Sequence, residues 1–204
     1  MALAFDKLAY SQEFGFCLGA TLQHIYCRKF DVTQRGFGGY NSHYELIMIH
    51  KIIQHETTKA KIKLMVVFFG TSDSVVPEAV QQVPIPRCKD KLKKNTRQYC
   101  DAAIEVAIEL NVAVVPLWYL IMADLGWKGG DPVYGLAELP AENPLTTYLN
   151  DGLHYFGKDY MVEFTNVVKA IEEFYPELDA HKVVEKLPPW DKLSSPNVLK
   201  APLE

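Results

Sequence analysis

The stretch that most restricts the fold of this chain is Ile62-Lys63-Leu64-Met65-Val66-Val67-Phe68-Phe69, apolar without a break from Leu64 and stopped by Gly70-Thr71-Ser72-Asp73. An unbroken apolar run of this kind is what a strand covered on both faces looks like. Strands covered on both faces belong to parallel sheets flanked by helices. In open parallel sheets the working residues lie just past the carboxyl ends of the strands, which directs attention to the Gly70–Asp73 loop.

The rest of the chain alternates in the matching way. Leu18, Leu22, Ile25 and Tyr26 recur at helical spacing between Gly15 and Lys29, and Phe30 to Gln34 reads as a short strand. The loop Arg35-Gly36-Phe37-Gly38-Gly39-Tyr40-Asn41-Ser42 then feeds a helix whose expected apolar face is Leu46, Ile49, Ile52 and Ile53, with Ser42 as its cap and Glu45 three residues on. A polar connector, Pro77 to Asn95, leads to a helix over Thr96–Leu110 with Tyr99, Ala103, Val106, Ala107 and Leu110 on one face. Asn111 to Leu117 reads as a third buried strand, Trp118 to Leu125 as a helix and Gly126 to Asn143 as a surface loop. Lys158 to Tyr175 is amphipathic through Met161, Phe164, Val168 and Ile171. The expected organisation is an α/β domain over residues 1–176 and a Pro-rich C-terminal tail over 177–204 packed on it.

Composition excludes several classes. The 204 residues carry a net charge of -4, so a nucleic-acid or anionic-membrane partner, which needs a basic face, is not expected. Cys17, Cys27, Cys88 and Cys100 form neither a disulfide framework nor a zinc spacing, and reduced thiols in a cytoplasmic protein without metal or cofactor are expected. No span reaches transmembrane length.

Two motifs carry chemistry. In Asn150-Asp151-Gly152-Leu153-His154 a carboxylate stands three residues before an imidazole on a Gly-containing loop. Asp151 can then fix the ring of His154, leaving its other nitrogen to take a proton from a hydroxyl nucleophile. The bland reading is a surface loop with a helix-capping Asp. The Gly36–Gly39 loop before a helix can bring backbone N–H groups to an oxyanion or a phosphate, or can need glycine for its φ angles alone. Its G-x-G-G spacing departs from the dinucleotide-binding fingerprint, and no acidic residue ends the following strand.

Five blocks in order, Tyr10-Ser11-Gln12-Glu13-Phe14-Gly15-Phe16, Tyr26-Cys27-Arg28-Lys29, Gln34 to Ser42, Val67-Phe68-Phe69-Gly70-Thr71-Ser72-Asp73 and Asp151-Gly152-Leu153-His154, make the chain resemble the isoamyl acetate-hydrolysing esterase branch of the SGNH (GDSL-type) hydrolases. The resemblance implies a three-layer α/β/α sandwich with a parallel sheet, the flavodoxin-like SGNH fold, and hydrolysis of small, short-acyl esters without a cofactor. It implies Asp151 as the orienting acid, His154 as the general base and Gly39 as an oxyanion donor through its backbone N–H. Ser72 stands where the family's Gly-x-Asn-Asp block has its oxyanion asparagine.

The family's Gly-Asp-Ser, which supplies the nucleophile, does not occur before Tyr10 or elsewhere in the 204 residues. The family's first strand and one later strand are expected to be lacking as well. Of the serines near the blocks, Ser42 is read as a cap, Ser72 and Ser74 lie on the oxyanion side, and no Gly-rich turn presents Ser11. Loss of a triad serine costs on the order of 10⁶ in kcat, against roughly 10²–10³ for one oxyanion donor. The alternative is therefore an inactive relative that binds a small ester or a protein partner, or a truncated gene product. The sequence leaves self-association into a homo-oligomer open.

Overall fold

The computed structural model describes residues 2–3, 16–74, 83, 95–134, 144–149, 154–155 and 157–187 of the 204. Five helices appear: α1 (Leu18–Ile25), α2 (Ser42–Thr57), α3 (Asn95–Leu110), α4 (Leu117–Asp124) and α5 (Gly157–Phe174), with 3-10 turns at Pro144–Thr147 and Pro176–Leu178. Each α-helix falls where the periodicity placed one. The strands do not. Among the described residues the only sheet is a parallel pair, β1 (Ala2–Leu3) with β2 (Thr33–Gln34), in the register Ala2 to Thr33 and Leu3 to Gln34. No strand was expected as early as β1.

The expected strands at 62–69 and 111–117 are corrected. Residues 61–69 and 112–116 join no ladder among the described residues, and α4 already begins at Leu117. The physical reason is that an apolar run reports burial, whereas a strand also needs a neighbour to accept and donate along its edge. The run does reach the core. Leu64 and Val66 pack on Val167, Ile171 and Leu178; Val66 and Phe68 pack on Leu18, Leu22, Tyr26 and Tyr160; and Phe68 also packs on Leu117, Ile121 and Tyr148. The even-numbered residues therefore face inward as in an extended chain, while Val67 is 56% exposed.

Around that spine, α1 packs against α5, and α4 touches both α3 and α5. Leu18 and Leu22 are wholly buried, and Phe16 meets Phe164 of α5 with ring centroids 5.5 Å apart. A Cβ at Gly19 would come within 2.0 Å of Gln34 Nε2, so glycine leaves room for the Gln34 side chain of β2 to lie against α1. No helix among the described residues is long and apolar enough to cross a membrane.

The segment after α5 returns to the end of α1. The Tyr26 hydroxyl donates to the Leu178 carbonyl at 2.8 Å, Lys29 Nζ to the Ala180 carbonyl at 2.7 Å, and the Lys186 amide to the Arg28 carbonyl at 2.7 Å. Burial, helped by the negative charges of Asp179 and Glu172, pushes the Tyr26 phenol up to about 12. Tyr26→Phe removes the donor and leaves a buried carbonyl unpaired, so urea unfolding should show a loss of about 1–2 kcal/mol. An unchanged midpoint would mean that this contact does not hold the segment down.

Candidate active site

The Gly-rich loop ends in a turn closed by the Tyr40 amide donating to the Phe37 carbonyl at 3.1 Å. Gly39 is the third residue of that turn and has φ +79°, a conformation that only glycine adopts without strain. Asn41 follows, 3% exposed, and its side chain accepts from the Tyr44 amide at 2.9 Å. The N-cap of α2 is thus Asn41, which corrects the assignment of Ser42. Asn is as good a cap as Ser, and the residue one step earlier has the extended backbone that a cap needs, φ -108° and ψ 174°.

Ser42 has another partner. Its amide donates to the Asp73 carboxylate at 3.0 and 3.2 Å, and its hydroxyl donates to the same Oδ1. The Gly70 amide donates to Asp73 Oδ2 at 3.1 Å. Asp73 is 2% exposed, so a buried carboxylate bolts the 70–74 turn onto the N-terminus of α2, where the helix dipole also favours a negative charge. The turn is closed by Ser74 N to Gly70 O at 2.9 Å and Ser74 Oγ to Thr71 O at 2.9 Å, with Gly70 at φ +121°. Ser72 is half-buried within it, next to Asp73.

The third loop reaches the same place through Tyr155. Its ring stacks on Phe68 with centroids 6.0 Å apart, and its backbone bridges Leu149 in antiparallel fashion. Burial pushes the phenol far up, and the carboxyls of Glu163 and Asp159 act in the same sense. His154, half-buried in the bend before Tyr155, is carried by this anchored segment. Asp151, with Asn150, Gly152 and Leu153, lies outside the described residues, as does Ser11.

The loops carrying Gly39 and Ser72 are thus tied through Asp73, and the segment carrying His154 packs through Tyr155 on Phe68, just before the 70–74 turn. Sequence reasoning quoted Asp73 within its block but gave it no role, and passed over Tyr155. A carboxylate directly after the apolar run was the available signal. Arg35 steadies the entry to the Gly loop, its Nε donating to Glu56 Oε1 at 2.9 Å, and this ion pair holds the Glu56 carboxyl below the usual range. Among the described residues no three His, Cys, Asp or Glu side chains gather as a metal site.

No family model matches the chain. It is 27% identical over 217 residues to the isoamyl acetate-hydrolyzing esterase of Saccharomyces cerevisiae, covering 86% of this chain and 83% of that protein. It is 25% identical to the isoamyl acetate-hydrolyzing esterase of Schizosaccharomyces pombe, covering 88% and 76%. A GDSL esterase/lipase of Oryza sativa subsp. japonica matches at 35% over 79 residues, 37% of this chain and 30% of that protein. Matches of this breadth to esterases support membership of the SGNH (GDSL-type) hydrolase superfamily, carboxylic ester hydrolases with an α/β fold.

Proposed function

We propose that this protein acts on small, short-acyl esters of the acetate type, with His154 as general base, Asp151 as the carboxylate that orients it, and Gly39 and Ser72 as donors to the carbonyl oxygen. The observation that carries this reading is that the Gly39 and Ser72 loops are joined at Asp73 while the segment carrying His154 packs on Phe68 just before that turn. A neutral imidazole held on an anchored segment can accept a hydroxyl proton, and a backbone N–H at a positive-φ glycine can meet the charge that develops on the oxygen. The three-layer sandwich with a parallel sheet, the Pro-rich tail over 177–204 packed on the domain and a cytoplasmic location belong to the same proposal.

The proposal assigns a base and oxyanion donors; the nucleophile is the open position, because no Gly-Asp-Ser occurs in the 204 residues. The structure also shows two nearby serines already engaged, Ser42 Oγ donating to Asp73 and Ser74 Oγ to the Thr71 carbonyl. That observation favours a second reading, a relative that binds small esters without hydrolysing them.

Labelling the full chain with a serine-directed fluorophosphonate and mapping the peptide separates the two. Under the esterase reading one serine is labelled, and His154→Ala removes both the label and turnover of an acetate ester, by on the order of 10⁴-fold or more. A folded chain that takes no label supports the binding protein instead. Turnover unaffected by His154→Ala sinks the assigned mechanism.

A further inference from the structure

Two charges stand at the unfavourable ends of their helices. Asp124 is the last residue of α4, where the unpaired carbonyls of a helix repel a carboxylate, and Lys158 is the second residue of α5, where unpaired amides repel an ammonium group. Neither charge helps its own helix. They face each other instead, with Lys158 Nζ 3.1 Å from Asp124 Oδ2. The Tyr148 hydroxyl donates to the same Oδ2, and Lys158 Nζ lies 4.2 Å from the centre of the Tyr148 ring, within cation–π range.

What lies between the three side chains gives the arrangement its use. Tyr148 and Lys158 flank the stretch of sequence that carries Asp151 and His154. The base of that stretch is closed by the antiparallel bridge between Leu149 and Tyr155, and both of these pack with wholly buried Tyr148 on Leu117 and Ile121 of α4. Apolar contacts of this kind hold the segment against α4 without fixing its direction, because burial is non-directional. Two polar contacts from opposite flanks onto one carboxylate supply the direction.

From this clasp we propose that Asp124, acting through Tyr148 and Lys158, is a positioning residue that sets the orientation of the His154 imidazole. The inference rests on the esterase reading for the roles of His154 and Asp151. A displacement of about 1 Å in a reacting group can cost on the order of 10²-fold in rate, so holding both flanks of the segment matters for chemistry. The Asp124 and Lys158 side chains are 50% and 47% exposed, and an ion pair so open to water adds little to stability. Loss of orientation with the fold intact is therefore the signature of the clasp.

Long-range proton–nitrogen NMR of the isotope-labelled full chain reads the imidazole directly, with or without turnover. At a pH where the ring is neutral, the His154 signals, assigned by their loss in His154→Gln, should show one tautomer with the proton on Nδ1, because Asp151 accepts from that nitrogen. Asp151→Ala should release the ring into a mixture of both tautomers. Asp124→Ala and Lys158→Met should do the same, while Lys158→Arg keeps the single tautomer. The Tm of Lys158→Met should move by about 4 °C or less. In wild-type protein that turns over an acetate ester, Asp124→Ala should lower kcat about 10- to 100-fold and leave KM within about twofold. A single tautomer that survives both Asp124→Ala and Lys158→Met overturns the positioning role, and a response to Asp151→Ala in the same series leaves the base assignment standing. A mixture already present in the wild type, or a ring indifferent to Asp151→Ala, overturns the assignment of Asp151 and His154 and the clasp with it.

Discussion

Replacing Asp73 by alanine should cost about 3–5 kcal/mol, among the largest losses available to any single side chain of this protein. The carboxylate takes three donors, the Ser42 amide at 3.0 and 3.2 Å, the Ser42 hydroxyl and the Gly70 amide at 3.1 Å, in a site where Asp73 is 2% exposed. Hydrogen bonds to a charged acceptor contribute about 1.5–3 kcal/mol each, and alanine would also leave partly buried N–H groups without an acceptor. The loss of a negative charge at the start of α2 adds to this. In a chain of this length such a change corresponds to a fall in Tm of roughly 6–20 °C.

Ser42→Ala removes only the hydroxyl contact and should cost about 1.5–3 kcal/mol. The two substitutions share a partner, so their effects should not add, with a coupling of about 1 kcal/mol in a double-mutant cycle. A measured loss for Asp73→Ala within about 0.5 kcal/mol of zero would mean that the loops are held together by something else. Because Asp73 is the tie between the Gly39 and Ser72 loops, the same variant should lose any ester turnover even at temperatures where it stays folded.

That tie shows what a local reading of sequence misses. Ser42 and Asp73 lie 31 residues apart, and no periodicity relates a helix start to a turn after an apolar run. The five helices were legible because 3.6-residue patterning is a local property. Which side of α2 and of α5 faces inward was less so, for one physical reason. On α2 the expected face began with Leu46, yet Leu46 is 68% exposed and Glu45 is 9% exposed. On α5 the expected stripe ran through Met161, yet Met161 is 51% exposed while Tyr160, Glu163, Val167 and Ile171 are buried. In both helices a carboxylic acid points inward, and a count of apolar residues assigns every acid to water. The apolar run at 62–69, expected as a ladder strand covered on both faces, turns its even-numbered residues inward with Val67 56% exposed and joins no ladder among the described residues, because pairing depends on a neighbour far away in sequence.

The buried acid on α5 has its own measurable consequence. Glu163 is 3% exposed, its Oε2 makes no hydrogen bond among the described residues, and burial with the nearby Asp159 pushes its carboxyl up to about 8. An unfolded glutamate titrates near 4.3, so between that pH and about 8 the native protein holds a proton that the unfolded chain has released. Stability from this group is complete below the unfolded value and is lost as pH rises through the window, by about 1.4 kcal/mol per pH unit at most. The loss levels off once Glu163 is ionised in both states.

Glu163→Gln removes that slope while keeping the shape. Its stability relative to the wild type should therefore grow between pH 5 and pH 8.5 by about 2–4 kcal/mol, whatever the fixed cost of burying the amide. Urea midpoints of the two proteins across this range give the number directly, since other titrating groups largely cancel in the difference. A constant gap between the two curves would mean that Glu163 is ionised in the folded protein at neutral pH, and that a cation or donor compensates it.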